Sequence, residues 1–304
     1  MQDRSARRRP RIATAVLAAV AVLGSAVLSG CDSDGDGTAE GAAAGKRKPP
    51  AAGPVWDRSP KSLAAVGDSI TRGFDACSVL TDCPEVSWAT GTDNMVRSLA
   101  VRLLGEPGAA ARSWNHARTG ARIAELPEQM ALAAKEKPEL VTVMIGANDA
   151  CRDTVRYMTP VADFRSSFET AMRQLRAGAP KAQVYVSSVP DLMRLWETGR
   201  DKELVKRIWS LGVCRSMLSD PDDMGAEAAA RRASVQKRVV AYNEVLRDVC
   251  AKDTRCRHDG GAVFAYPFTG AQLSQWDWFH PGRDGQARLA EIAYRNVTAE
   301  QPPA

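Results

Sequence analysis

Leu140-Val141-Thr142-Val143-Met144-Ile145-Gly146-Ala147-Asn148-Asp149 is the stretch on which the fold turns. Six residues rich in β-branched side chains run without a charge between Pro138 and Gly146. Such a run reads as a strand buried on both faces. Strands of that kind belong to parallel sheets, where crossover helices cover each face. The polar turn at its end, Gly146 to Asp149, then marks where a ligand would meet the sheet.

Outward from there, strand-like and helix-like segments alternate. Ser62 to Val66 is a short apolar strand leading into Gly67-Asp68-Ser69. Ala109 to Trp114, Gln183 to Ser188 and Ala262 to Ala265 are the other expected strands. Helical spacing covers Asn94 to Leu104, Ile123 to Ala134, Val161 to Ala177, Ala226 to Lys252 and Arg283 to Val297. The alternation predicts an α/β fold with a central parallel sheet. It also brings Gly67-Asp68-Ser69 and Gly146-Ala147-Asn148-Asp149 into one crevice at the carboxyl ends of the strands.

The chain has 304 residues, 44% hydrophobic and 25% charged, a balance that builds a core. Its formal net charge of +5 comes largely from Arg4, Arg7, Arg8, Arg9 and Arg11. Without residues 1–30 the excess nearly vanishes, so no standing positive field remains for nucleic acid. The Arg cluster followed by the uncharged stretch Ile12 to Leu28 reads as a secretory signal. It closes with Leu28-Ser29-Gly30-Cys31, which resembles the lipobox of bacterial lipoproteins. That resemblance implies cleavage before Cys31 and a lipid on its sulfur. The competing reading is an uncleaved membrane anchor. Both place the rest of the chain outside the cytoplasmic membrane. Residues 31–60, rich in Gly, Pro and Ala, read as a flexible tether. The expected division is then signal 1–30, tether 31–60, domain 61–299 and tail 300–304.

Seven cysteines are present. With Cys31 assigned to lipid, six remain in an oxidising compartment, where disulfides form. Several pairings are open; the sequential set, Cys77–Cys83, Cys151–Cys214 and Cys250–Cys256, is the most economical. No C-x-x-C spacing favours zinc, and no metal or cofactor is expected.

Nucleophilic chemistry needs a Ser or Cys beside a base. Neither G-x-S-x-G nor H-E-x-x-H occurs. Ser69, directly after a strand, would lead a helix, among unpaired N–H donors that favour an oxyanion. A plain helix N-cap is the alternative at that position. The chain offers three histidines as bases: His116, His258 and His280. Only His280 has an Asp three residues upstream, Asp277, able to accept its Nδ1–H within one turn.

Four blocks in order carry a family resemblance: Gly67-Asp68-Ser69, Asn115 to Gly120, Gly146-Ala147-Asn148-Asp149 and Asp277-x-x-His280. Together they resemble the SGNH (GDSL-type) hydrolases over roughly Leu63 to Thr298. The resemblance implies a flavodoxin-like three-layer α/β/α sandwich and ester hydrolysis. It implies Ser69 as nucleophile, His280 as base and Asp277 as its orienting acid. The oxyanion hole would be the Ser69 and Gly120 N–H groups and the Asn148 amide. Val86-Ser87-Trp88, Gly120-Ala121-Arg122, Leu126-Pro127, Gly146 to Cys151 and Tyr242-Asn243 look like the phospholipase B branch. That points to acyl esters of phospholipids or lysophospholipids; the lipobox at Cys31 departs from that branch and gives a lipid-anchored protein, expected to be a monomer. A carbohydrate acetylesterase and a non-catalytic surface-binding lipoprotein are the rival readings. Residues 190–225 form a long apolar insertion, either an acyl channel or ordinary packing. Arg118 and Arg122 would be exposed loop residues, or contacts to a phosphate head group.

Overall fold

The computed structural model describes residues 55–302; the signal segment, Cys31 and most of the tether lie outside the described residues. In chain order the elements begin with β1 (Leu63–Gly67), α1 (Ser69–Arg72), α2 (Leu99–Arg112) and β2 (Ser113–Asn115). Next come α3 (Leu126–Lys135), β3 (Leu140–Met144), α4 (Ala147–Ala150), α5 (Val161–Gly178) and β4 (Gln183–Val186). The insertion supplies α6 (Leu192–Gly199), α7 (Glu203–Trp209) and α8 (Arg215–Leu218). The chain then forms α9 (Ala226–Cys250), β5 (Cys256–His258), α10 (Ala262–Ala265) and α11 (Arg283–Thr298).

The five strands are all parallel, in the order β2-β1-β3-β4-β5. That is the flavodoxin-like order, as the family resemblance implied. Alternation along the strands divides the core in two. Ala64, Val66, Val141, Val143, Val184 and Val186 pack with α3, α5 and α9. Leu63, Ala65, Leu140 and Tyr185 face the other way, towards Leu99 of α2 and Leu289, Ala290 and Val297 of α11. Three layers result, with the strands buried on both sides.

Several expected boundaries move. The helix expected from Asn94 begins at Leu99, because the Ser98 side chain caps it by accepting the Val101 N–H at 3.2 Å. The strand expected over Ala109–Trp114 is helical to Arg112, as its alanines favour, and only Ser113–Asn115 pairs with β1. Ala262–Ala265 is a helical turn, not a strand. Asp259 starts it by accepting N–H bonds from Gly261 and Val263 at 2.8 and 3.0 Å. The fifth strand is Cys256–His258 instead.

The end of the expected tether is docked, not free. Trp56 Nε1 donates to the Val297 carbonyl at 2.8 Å, and the Arg257 guanidinium lies 4.5 Å above its ring. The structure holds three disulfides, Cys77–Cys83, Cys151–Cys214 and Cys250–Cys256. Such bonds persist in extracytoplasmic compartments. Within 190–225, Trp196, Val205, Trp209, Met217 and Leu218 are buried in the core, so most of the insertion is packing.

Candidate active site

The site starts where β1 runs out. Gly67 has φ +145°, and a Cβ there would overlap the Met144 carbonyl oxygen on β3. The turn lets Asp68 cap α1 by accepting the Ile70 N–H at 3.0 Å, which places Ser69 first in the helix. Buried Gln129 of α3 grips Gly67 at both ends, accepting its N–H at 2.7 Å and donating to its carbonyl at 3.0 Å. From the opposite face, Gln286 of α11 donates to the Ile70 carbonyl at 2.9 Å. Ser87 Oγ and Asn115 Nδ2 both donate to the Thr71 carbonyl, at 2.7 and 3.0 Å. The serine turn is therefore held from both helical layers and from the neighbouring loops.

His280 comes from the loop before α11. Asp277 Oδ1 accepts the Phe279 and His280 N–H groups at 2.9 and 3.0 Å, which folds the loop back on itself. Trp278, between them, takes a left-handed φ of +52°. The same carboxylate's Oδ2 lies 2.5 Å from His280 Nδ1, and His280 Nε2 lies 2.8 Å from Ser69 Oγ. Phe74 and Phe279 meet the imidazole edge-on, with centroids 5.1 and 4.9 Å away. A Ser Oγ, an imidazole and a carboxylate thus stand in one hydrogen-bonded line. Burial alone would raise the Asp277 carboxyl. The His280 hydrogen bond and charge, with the two N–H donors, outweigh it and hold the carboxyl below its ordinary value.

The three donors expected of an oxyanion hole are the Ser69 and Gly120 N–H groups and the Asn148 amide. Among the described residues the Ser69 and Gly120 N–H groups donate to no acceptor. Gly120 has φ +80°, with open space where a Cβ would stand. Asn148 donates one amide N–H to the Ala121 carbonyl at 3.0 Å, which fixes the side chain and leaves its second N–H. Asn148 lies on α4, which starts after Gly146 at φ +127°. The next residue, Asp149, is buried and braces the site: its carboxylate accepts the Ile123 N–H at 2.9 Å and the Thr159 hydroxyl at 2.6 Å. Burial pushes it up to about 6 despite those bonds. Burial likewise pushes Asp68 up to about 7, and its Oδ2 has no partner.

The other histidines stand elsewhere. His116 follows β2, its Nε2 is buried without a partner, and burial lowers its basicity. His258 ends the edge strand, where its Nδ1 accepts the Gly260 N–H at 3.2 Å. Arg118 is exposed and already bound to Glu128 by two hydrogen bonds of 2.8 and 3.1 Å. Motif reading missed Gln129 and Gln286, whose partners are remote in sequence and which no local signal could have revealed. Ile70, Ala147 and Phe279, the chain neighbours of Ser69, Asn148 and His280, line a narrow cleft together with Leu192, Leu195, Phe268 and the polar Asp191, Arg194 and Thr198.

Residues 65–288 match the model of the GDSL-like Lipase/Acylhydrolase family. No curated protein matches the chain closely enough to count as a relative. Among solved structures, the chain is similar to an extracellular lipase from Streptomyces rimosus, at 18% identity and a TM-score of 0.43, covering 79% of this chain and 100% of that one. It is similar to phospholipase A1 from Streptomyces albidoflavus, at 18% identity and a TM-score of 0.45, with 79% and 100% covered. A family two carbohydrate esterase from Clostridium thermocellum is also similar, at 15% identity and a TM-score of 0.44, with 78% and 63% covered.

Proposed function

The chain belongs to the GDSL-like lipase/acylhydrolase family and is an ester hydrolase; from that premise we propose that it cleaves acyl esters of lipids through a Ser69 acyl-enzyme. The continuous line from Ser69 Oγ through His280 to Asp277 carries the reading. Ser69 Oγ bonds to the acyl carbon while His280 Nε2 takes its proton. The charge that forms on the carbonyl oxygen meets the Ser69 and Gly120 N–H groups and the Asn148 amide, donors worth about 3–4 kcal/mol each in comparable enzymes. The ester C–O bond breaks as His280 returns the proton to the departing alkoxide. Water then bonds to the acyl carbon, His280 takes its proton, and Ser69 leaves with that proton, releasing the acid. Asp277 keeps the imidazole in the tautomer this exchange needs.

The cleft supports a reading of the substrate class. Its walls include Ile70, Ala147, Leu192, Leu195, Phe268 and Phe279, apolar surface suited to an acyl chain, beside the polar Asp191, Arg194 and Thr198. An acetyl group on a polysaccharide would leave most of that surface unmatched. Phospholipid or lysophospholipid esters are therefore the proposed substrates. The lipobox at Cys31 would keep the domain at the outer face of the cell membrane, within reach of such esters. Among the described residues no helix is long and apolar enough to cross a membrane.

Hydrolysis of acetyl to palmitoyl nitrophenyl esters, lysophosphatidylcholine, phosphatidylcholine and acetylated xylan, with Ser69→Ala as the blank, tests both parts. The expected result is Ser69-dependent release of fatty acid from the phospholipids, with loss of roughly 10⁶-fold in kcat in the variant. Activity confined to acetyl esters would move the substrate to carbohydrate. Undiminished activity in Ser69→Ala would remove the mechanism.

A further inference from the structure

Behind the Ser69–His280–Asp277 line stands a second carboxyl group, on Asp75. Its residue is only 2% exposed. Asp75, Asp277 and His280 each bring a polar side-chain atom into one cluster, all within 4.8 Å of one another. Two buried carboxyl groups this close repel as a pair of anions, which favours one proton held between them. The surroundings decide which one does. Asp277 accepts three N–H donors, from Phe279, His280 and the imidazole. Asp75 accepts one, the Leu80 N–H on Oδ1, with no cation paired to it. The titratable groups facing Asp75 are Asp277 and His280; Arg72 and Asp82 on the neighbouring segment pair with each other at 3.1 Å.

The backbone around Asp75 is built to hold it there. The residue has a left-handed φ of +57°, uncommon outside glycine and of measurable cost. Its N–H donates to the Thr81 carbonyl at 3.0 Å, and its own carbonyl accepts the Ser274 hydroxyl at 2.6 Å. The Cys77–Cys83 disulfide closes the loop that supplies Leu80 and Thr81. Ser274 also donates its N–H to the His280 carbonyl at 2.7 Å, so the same residue ties Asp75 to the histidine loop. This is more restraint than a surface turn requires.

Resting on the catalytic reading above, we propose that Asp75 is a positioning residue: it holds the single proton of the Asp75–Asp277 pair and donates it as a hydrogen bond to the Asp277 carboxylate. Asp277 is thereby held in place beside His280, and its charge is tempered before it reaches the imidazole. Burial first, and the Asp277 charge next, push the Asp75 carboxyl above its ordinary range, which agrees with that placement of the proton.

Two variants and one wild-type titration test it, with Ser69→Ala alongside. Asp75→Val removes the donor, so kcat/KM falls by roughly 10-fold and the acid limb of the pH profile moves up. Asp75→Asn keeps a neutral donor, so it recovers most of that loss and its acid limb stays within about 0.3 pH unit of wild type. If Asp75 were the ionised member, Asp75→Asn would delete a negative charge beside the base, and the acid limb would fall by about one pH unit. That result overturns the proposal. The carboxyl carbon-13 titration of Asp-labelled wild type needs no variant and no activity. It should show Asp75 still protonated at pH values where Asp277 is already ionised, and the reverse order is fatal to the idea. Activity persisting in Ser69→Ala would instead sink the catalytic reading and leave the titration result standing.

Discussion

At Gly67 an added methyl group would run into the Met144 carbonyl oxygen, on backbone at φ +145° that other residues avoid. Neither the oxygen nor the strand behind it can give way. Gly67→Ala should therefore cost about 3 kcal/mol or more, measured as a lower denaturant midpoint with an unchanged slope. Asn148→Ala is the contrasting case. It loses the hydrogen bond to Ala121, about 1 kcal/mol, but removes a donor that the proposed mechanism aims at the transition state. Its kcat should fall by about 10² to 10³ while the melting temperature stays close to wild type. An equal loss in Gly120 variants of unrelated size, with no further effect from Asn148→Ala, would argue against that role. At this scale the sequence pointed to Ser69, Gly120, Asn148, Asp277 and His280 because each sits in a short local pattern. It hid Asp75, Gln129 and Gln286, since a Gln that bonds to Gly67 from a helix 62 residues away looks like any other Gln.

Among the elements, β1, β3 and β4 were legible because they are buried on both faces and read as unbroken apolar runs. The edges were not. The fifth strand is three residues, Cys256-Arg257-His258, and its buried Arg257 hides the pattern while bonding to the carbonyls of Asn296 and Ala299. The apolar run Ala262–Ala265 looks equally suited to strand or helix, and the Asp259 cap decides it. The insertion between β4 and α9 depends on Cys151–Cys214, which closes a 63-residue separation. Replacing both cysteines with alanine should remove roughly 4 kcal/mol and lower the melting temperature by about 10 °C. No thermal change would mean that the buried Trp196 and Trp209 hold the insertion without it. Its first helix, α6, also supplies Leu192 and Leu195 to the cleft. Leu195→Trp should fill that space and slow palmitoyl esters by about tenfold relative to acetyl esters. Equal slowing of both would take the acyl chain out of the cleft.

For the whole molecule, the buried acids set how stability follows pH. Asp68 rises to about 7 and Asp149 to about 6 from an ordinary 3.8, each chiefly through burial. Between those limits the folded chain holds protons that the unfolded chain has released. Stability therefore falls as pH climbs from about 4 to 7, by up to roughly 1.4 kcal/mol per unit for each such group. Asp277 is displaced the other way, so its contribution disappears only in stronger acid, as pH falls below its ordinary range. The melting temperature should peak in mild acid and decline towards pH 8, and Asp68→Asn should flatten that decline. A curve rising from pH 4 to 8 would show that these carboxyls are ionised throughout. Hydrolysis, which needs an unprotonated His280, should favour the higher side, so the conditions of greatest stability and greatest turnover are expected to differ.

Ser69 lies at the end of the first strand and His280 just before the last helix, 211 residues later. A chain emerging from the ribosome therefore carries its serine long before its histidine. On the proposed mechanism, a fragment that ends between the two residues cannot cut an ester. For the lipid esterase proposed above, that order of assembly would delay activity until both residues have been made.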